Sequence, residues 1–246
     1  MEFRVKNGKK NKKNTLRFMA CTAAVMVLVQ RGLIDLDTPV VEYVPEFTML
    51  DEDYKKITVR HLLNHASGLP GTQWKGFSVT ALTKRDYDEE VLNYLANSHL
   101  KAKPGEYSVY CNDGFTLAEI VVARVSGQRY SDFLRENITG PIQADSTRTI
   151  EDRNPDFPLV HEKAKPAELL LVEGTGGLTT SMIDLCKFGQ LFLSENPILS
   201  EASKQEMAKP QGVSFLAQDQ KSPSYGLGWD TVCFSDPDFD LGEGVL

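Results

Sequence analysis

The sequence has no apolar run long enough to cross a bilayer. Its longest, Phe18–Val29 (FMACTAAVMVLV), is twelve residues, against the ~20 that a membrane-spanning helix needs. The basic stretch before it imitates an export signal, but Gln30-Arg31-Gly32 follows with no small-residue cleavage site. Gly32 stands where a glycine closes a helix, so the run reads as a buried helix and the protein as cytoplasmic by default. Cysteine is sparse. Cys21, Cys111, Cys186 and Cys233 are widely spaced with no C-x-x-C pair, which argues against a zinc ribbon, a redox motif or a disulfide framework and for buried free thiols. Basic charge is missing from the body. Residues 1–17 hold seven Lys or Arg against Glu2 alone, which leaves 20 basic and 33 acidic residues for everything after them. Such a body cannot displace counterions from a duplex, so nucleic acid is not an expected partner and residues 1–17 read as a solvated basic tail. Strand signals are few: Tyr225–Phe234 is the best and Leu169–Val172 a weaker one.

Helix signals are plentiful. Thr58 is placed to cap Val59–His65, which stops at Ser67-Gly68. After Asn112-Asp113-Gly114, Leu117, Ile120, Val121 and Val125 recur at helical spacing up to Gly127. A short helix is expected over Tyr130–Ile138, before Gly140-Pro141. Ser181 with Asp184 three residues on opens Met182–Leu193, whose Leu185, Phe188 and Phe192 share a face.

Three patterns carry possible chemistry. His61 and His65 are four apart, the spacing of a zinc pair, but Leu62 occupies the place of the Glu a metalloprotease uses as base, so both read as structural. His99 and His161 stand alone. Ser98-His99-Leu100-Lys101 matches S-x-x-K, in which a lysine one helical turn away activates a serine. Pro104-Gly105 follows so closely that no helix can hold the pair, and the match reads as a decoy. Tyr110-Cys111-Asn112 lies where a turn runs into a helix start. Its tyrosine can act as a general base if a cation lowers its pKa, and its asparagine can hold a substrate amide. Taken alone, Tyr-x-Asn is a weak signal, and the residues read as a packed tyrosine and an N-cap asparagine.

The surrounding motifs bear on that choice. Ile57–Pro70 (ITVRHLLNHASGLP) resembles the ITxRHLLxHxSGLP stretch of the serine β-lactamase-like family, which groups class C β-lactamases, DD-peptidases and related esterases. VLVQRGLIDLD with Val44–Phe47, the segment Pro104–Gly127, Gly174–Leu178 with Ser181 and Asp184, and Tyr225–Trp229 (YGLGW) resemble further motifs of that family, in order over about residues 15 to 230. The resemblance implies an α+β, β-lactamase/transpeptidase-like fold, with the helical subdomain largely retained and an incomplete antiparallel sheet. It implies acyl transfer on amide, ester or β-lactam carbonyls, with Tyr110 catalytic and Asn112 substrate-binding. Small acyl, peptide or β-lactam molecules are the implied partners, and neither metal nor cofactor is. Where the family has the serine of S-x-x-K, this sequence has Ala20 or Cys21 and no lysine, and the third family motif, H-x-G or K-T-G, is missing before Leu246. The expectation is therefore a partial domain, residues 18–246, truncated at both ends and catalytically impaired. The alternative is a non-catalytic relative that binds peptide-like or acyl ligands in the remnant cleft.

Overall fold

The computed structural model describes residues 15–73, 75, 78–79, 87–149, 169–213 and 224–230. Residues 1–14, His161, Cys233 and residues 231–234 of the expected last strand lie outside them. In chain order the helices are α1 (Thr15–Gln30), α2 (Val59–Leu63), α3 (Tyr87–Ala96), α4 (Asn112–Ser126), α5 (Tyr130–Leu134), α6 (Met182–Leu193) and α7 (Glu201–Ala208). Two short strands, β1 (Ser78–Val79) and β2 (Leu169–Leu170), pair antiparallel with Ser78 opposite Leu170.

A helix that is apolar on every side has no face to offer water and belongs at the centre of a fold. That is α1: from Phe18 through Leu28 no residue is more than 7% exposed. It starts at Thr15, so residues 15–17, expected in the basic tail, are helical instead. No glycine or proline there interrupts helix propagation. Its other end is a Schellman motif. Leu33 N–H donates to Leu28 O at 3.0 Å and Gly32 N–H to Val29 O at 2.9 Å, with Gly32 left-handed at φ +69°.

The faces of α1 are covered by α4 and by a π-helical turn at Glu173–Gly177. On α4, Phe115, Leu117, Ile120, Val121 and Val122 are fully buried, and Gly127 at φ +69° ends the helix. The helix expected over Tyr130–Ile138 is α only to Leu134. It then widens into a π turn, Arg135–Thr139, closed by Gly140 N–H donating to Arg135 O at 2.8 Å.

Side chains tie together segments far apart in the chain. Gln30 donates to Ile198 O at 2.9 Å and accepts from Ser200 N–H and Ser203 Oγ, both at 2.7 Å. Arg60 grips both carboxylate oxygens of Asp37, at 2.7 and 2.8 Å, and also bonds Glu206 and Gln211.

One strand reading is corrected. Tyr225–Asp230 is a turn, because its backbone groups go elsewhere than to a ladder. Leu227 N–H donates to Met207 O at 2.9 Å, Gly228 N–H to Leu63 O at 3.0 Å, and Gly226 N–H to Trp229 O at 3.0 Å. The weaker reading, Leu169–Val172, is the one that contains a strand, β2.

Candidate active site

The site grows from the end of α2. Thr58 and His61 form a capping box: His61 N–H donates to Thr58 Oγ1 at 3.3 Å, and Thr58 N–H to His61 Nδ1 at 3.2 Å. The helix then stops at Leu63, two residues earlier than the sequence suggests, and His65 is left-handed at φ +61°. His61 and His65 therefore share no helix face. Burial holds the His65 imidazole down at a pKa of about 3.

His65 brackets Tyr110. Its carbonyl accepts Val109 N–H at 2.9 Å and its Nδ1 accepts Cys111 N–H at 3.1 Å. The Tyr110 ring stacks on the imidazole, centroids 5.1 Å apart and planes 28° apart, and meets the Phe18 ring of α1 edge-on at 5.5 Å. Phe115 and Tyr225 complete the surround of His65, at 5.1 and 4.8 Å. Tyr110 thus lies against the first turns of α1, on the side that holds Phe18.

Asn112 opens α4; the N-cap is Cys111, whose side chain makes no capping bond. Asn112 Nδ2 donates to Thr72 Oγ1 at 2.8 Å. Its carbonyl accepts from Thr175 Oγ1 at 3.3 Å, and Thr175 and Thr116 share a hydroxyl bond of 3.0 Å. The next residue, Asp113, binds the same strap as Thr72. Its N–H donates to Gly71 O at 3.0 Å and its Oδ1 accepts Gln73 N–H at 2.7 Å. Burial raises the Asp113 carboxyl to about 6 and the Cys111 thiol to about 11, so Cys111 is neutral and donates to Gly71 O at 3.3 Å. The strap 71–73 is thereby held from below by three consecutive residues.

The other candidates fall away from this centre. Ala20 and Cys21 are buried, and the Cys21 thiol points at Phe115 O, 3.8 Å away, on the core side of α1. Burial, then the nearby Glu119, push its pKa well up, so it cannot serve as a thiolate nucleophile. Ser98 donates to Tyr94 O at 2.7 Å, and Lys101 N–H donates to Gly68 O at 2.9 Å outside any helix, so no helical turn joins the two. Lys101 has another place: its charge is felt at His65, Cys111 and Asp113. His99 pairs with Asp51 at 3.0 Å, away from the site.

Sequence reading missed His65, Thr72 and Tyr225 as neighbours of Tyr110 and Asn112. The HLLNHASGLP and YGLGW blocks that contain His65 and Tyr225 were the available signal; Thr72, just past Pro70, had none.

Geometry and motif order agree with the comparison of the whole sequence. The profile of the family described as Beta-lactamase matches residues 18–238, most of the chain. The chain belongs to that family. Within it, the chain is 24% identical over 228 residues to Penicillin-binding protein 4* of Bacillus subtilis (strain 168), covering 83% of this chain and 48% of that one. It is 28% identical over 213 residues to the D-alanyl-D-alanine-carboxypeptidase/endopeptidase AmpH of Escherichia coli (strain K12), covering 82% and 55%. The chain thus spans about half the length of these Beta-lactamase family relatives. A crystal structure of a D-stereospecific amidohydrolase from Streptomyces superposes with a TM-score of 0.67 at 22% identity, covering 88% of this chain and 69% of that one. The fold is β-lactamase/transpeptidase-like, and the proteins it resembles include a D-alanyl-D-alanine-carboxypeptidase/endopeptidase and a D-stereospecific amidohydrolase. Among the described residues no helix is long and apolar enough to cross a membrane.

Proposed function

We propose that this chain carries the acyl-binding part of a serine-hydrolase site, with Tyr110 handling the proton and Asn112 holding the substrate amide. One observation carries the reading: Tyr110 and Asn112 flank a single turn, pinned at His65 and Thr72, that packs on the first turns of α1 through Phe18. In acyl transfer a serine attacks a carbonyl, a base takes its proton, and N–H donors hold the oxyanion. Tyr110 is suited to the base role if a cation faces it, and the field of Lys101 reaches the adjoining residues. Asn112 has a fixed amide to offer. The substrate class is a small acyl, peptide or β-lactam carbonyl, and AmpH directs the choice of probe to a D-alanyl-D-alanine terminus. The domain runs from α1 at Thr15 onward, its helical part the larger share and its antiparallel sheet the smaller.

Catalysis by this chain is impaired in our reading, because Ala20 and Cys21, at the place of the nucleophile, are sealed in the core. Loss of a nucleophile costs of order 10⁶ in kcat in hydrolases of this kind of design. The test uses the purified chain with a fluorophosphonate probe, a chromogenic cephalosporin and D-alanyl-D-alanine. We expect no labelling and background turnover. The dipeptide should shift NMR signals of Tyr110 and Asn112, and Asn112→Ala should weaken its binding roughly tenfold, the worth of one well-made hydrogen bond. Labelling of Ser98 or real turnover would overturn the impairment. A dipeptide that perturbs neither residue would overturn the site.

A further inference from the structure

We propose that His65 is a positioning residue, whose imidazole Nδ1 sets the place of Tyr110 by accepting the N–H of Cys111. The inference rests on the reading of Tyr110 above and adds a residue to it. Only 3% of His65 is exposed, and it takes a left-handed backbone conformation that is uncommon outside glycine and is met mostly at asparagine, aspartate and histidine. That conformation occurs at the point where both hydrogen-bond acceptors for the segment 109–111 arise. The carbonyl of His65 takes Val109 N–H, and its ring takes Cys111 N–H. The first bond would survive any substitution, since it is backbone to backbone. The second is specific to the side chain, and it fixes the peptide unit that follows Tyr110.

The ring also stacks on Tyr110 and touches Phe18 and Phe115, so removing it does two things at once. Two variants separate them. In His65→Asn the amide Oδ1 takes the position of Nδ1 and asparagine tolerates the left-handed backbone, while the stack is lost. In His65→Phe the stack remains and the acceptor is lost. An N–H left without an acceptor at a buried site opens to exchange and frees the tyrosine beside it.

The experiment uses the full chain, labelled with nitrogen-15 throughout and with carbon-13 at the tyrosine ring. Three quantities are read: hydrogen exchange of the Cys111 amide, the pH titration of the Tyr110 phenol, and the nitrogen signals of His65. For His65→Phe we expect exchange at Cys111 to quicken at least tenfold and the Tyr110 titration midpoint to move. For His65→Asn both should stay near the wild-type values. Wild-type behaviour in His65→Phe, or equal loss in both variants, would overturn the proposal, the second because His65→Asn keeps the acceptor and should then keep the place of Tyr110. Should His65→Phe not fold, the wild type alone decides. Its His65 must carry the proton on Nε2 and keep Nδ1 bare down to pH 5, and a proton on Nδ1 overturns the proposal. None of these readouts needs a ligand. A dipeptide that fails to bind therefore counts against the acyl site and leaves the role of His65 standing or falling by itself.

Discussion

At the scale of the residue, two glycines separate backbone conformation from crowding. Gly68 and Gly32 are both left-handed, at φ +73° and +69°. A Cβ on Gly68 would sit 2.2 Å from Ala102 O, a backbone atom also held in the segment that leads to Lys101, whereas one on Gly32 meets nothing within 4 Å. Gly32→Ala should therefore cost only the left-handed penalty, about 1 kcal/mol. Gly68→Ala should cost clearly more, above about 2 kcal/mol, since the chain must also move apart. Urea melts check this: both midpoints fall at unchanged slope, with Gly68→Ala the larger. Equal losses would show that the segment 101–103 yields freely. The same distinction explains why His65 was hard to read from the sequence. A histidine four residues after another looks like a continued helix, and nothing local announces that the helix ends two residues earlier. The decision is made by Val109 and Cys111, more than forty residues away, whose N–H groups need the acceptors His65 presents.

At the scale of the element, caps and glycines were legible because they act within a few residues. Thr58, Ser181 and Gly127 stand where the sequence put them, although Ser181 makes only half a capping box. Its Oγ accepts Asp184 N–H at 3.2 Å, while the Asp184 carboxylate turns away to accept Ser146 N–H at 2.7 Å. Thr58→Ala removes an acceptor from α2 and should lower stability by about 1 kcal/mol, read from the shift in melting midpoint. Unchanged stability would mean that the bond from Thr58 N–H to His61 Nδ1 suffices. What was not legible is where polar side chains replace a ladder or a core contact. YGLGW has strand-like residues, yet its N–H groups go to Met207 and Leu63, so tertiary bonds outweigh local preference. Tyr110 and Asn112 were singled out by their motif, but Thr72, which bonds Asn112, was not, since a threonine in a loop carries no spacing signal. On α4, Glu119 is a carboxyl buried in the core, accepting Gly174 N–H beside Cys21 and Tyr130. Burial first, then the charges of Asp88 and Glu173, raise its carboxyl well above the ordinary range.

At the scale of the whole molecule, these buried groups set the response to pH. A carboxyl whose folded pKa is raised stabilises fully below its unfolded value of about 4, and that contribution is lost as pH rises through the folded value. For Asp113 the loss is complete near its folded value of about 6, while for Glu119 it continues to higher pH. His65, and His61 with it, are depressed by burial, so their contribution is present above about 6.5 and lost as pH falls toward about 3 for His65. The histidines thus favour the folded state as pH rises toward about 6.5, while each buried carboxyl opposes it by up to ~1.4 kcal/mol per unit as pH rises from about 4. Glu119→Gln should flatten the fall of stability with rising pH above about 4 in thermal melts, and a fall of unchanged slope would place its origin elsewhere. A different consequence follows from Gln30. Its three hydrogen-bond partners lie 168 to 173 residues later in the chain. A ribosome adds roughly 5–20 residues per second, so α1 waits about 10–30 s between its synthesis and the arrival of the groups that fasten its end. Through that interval a helix apolar all round stands in water with its covering turn and α7 still unmade. The first of the described helices to be translated is among the last to be secured at its end, and the newborn chain carries that apolar surface through the wait.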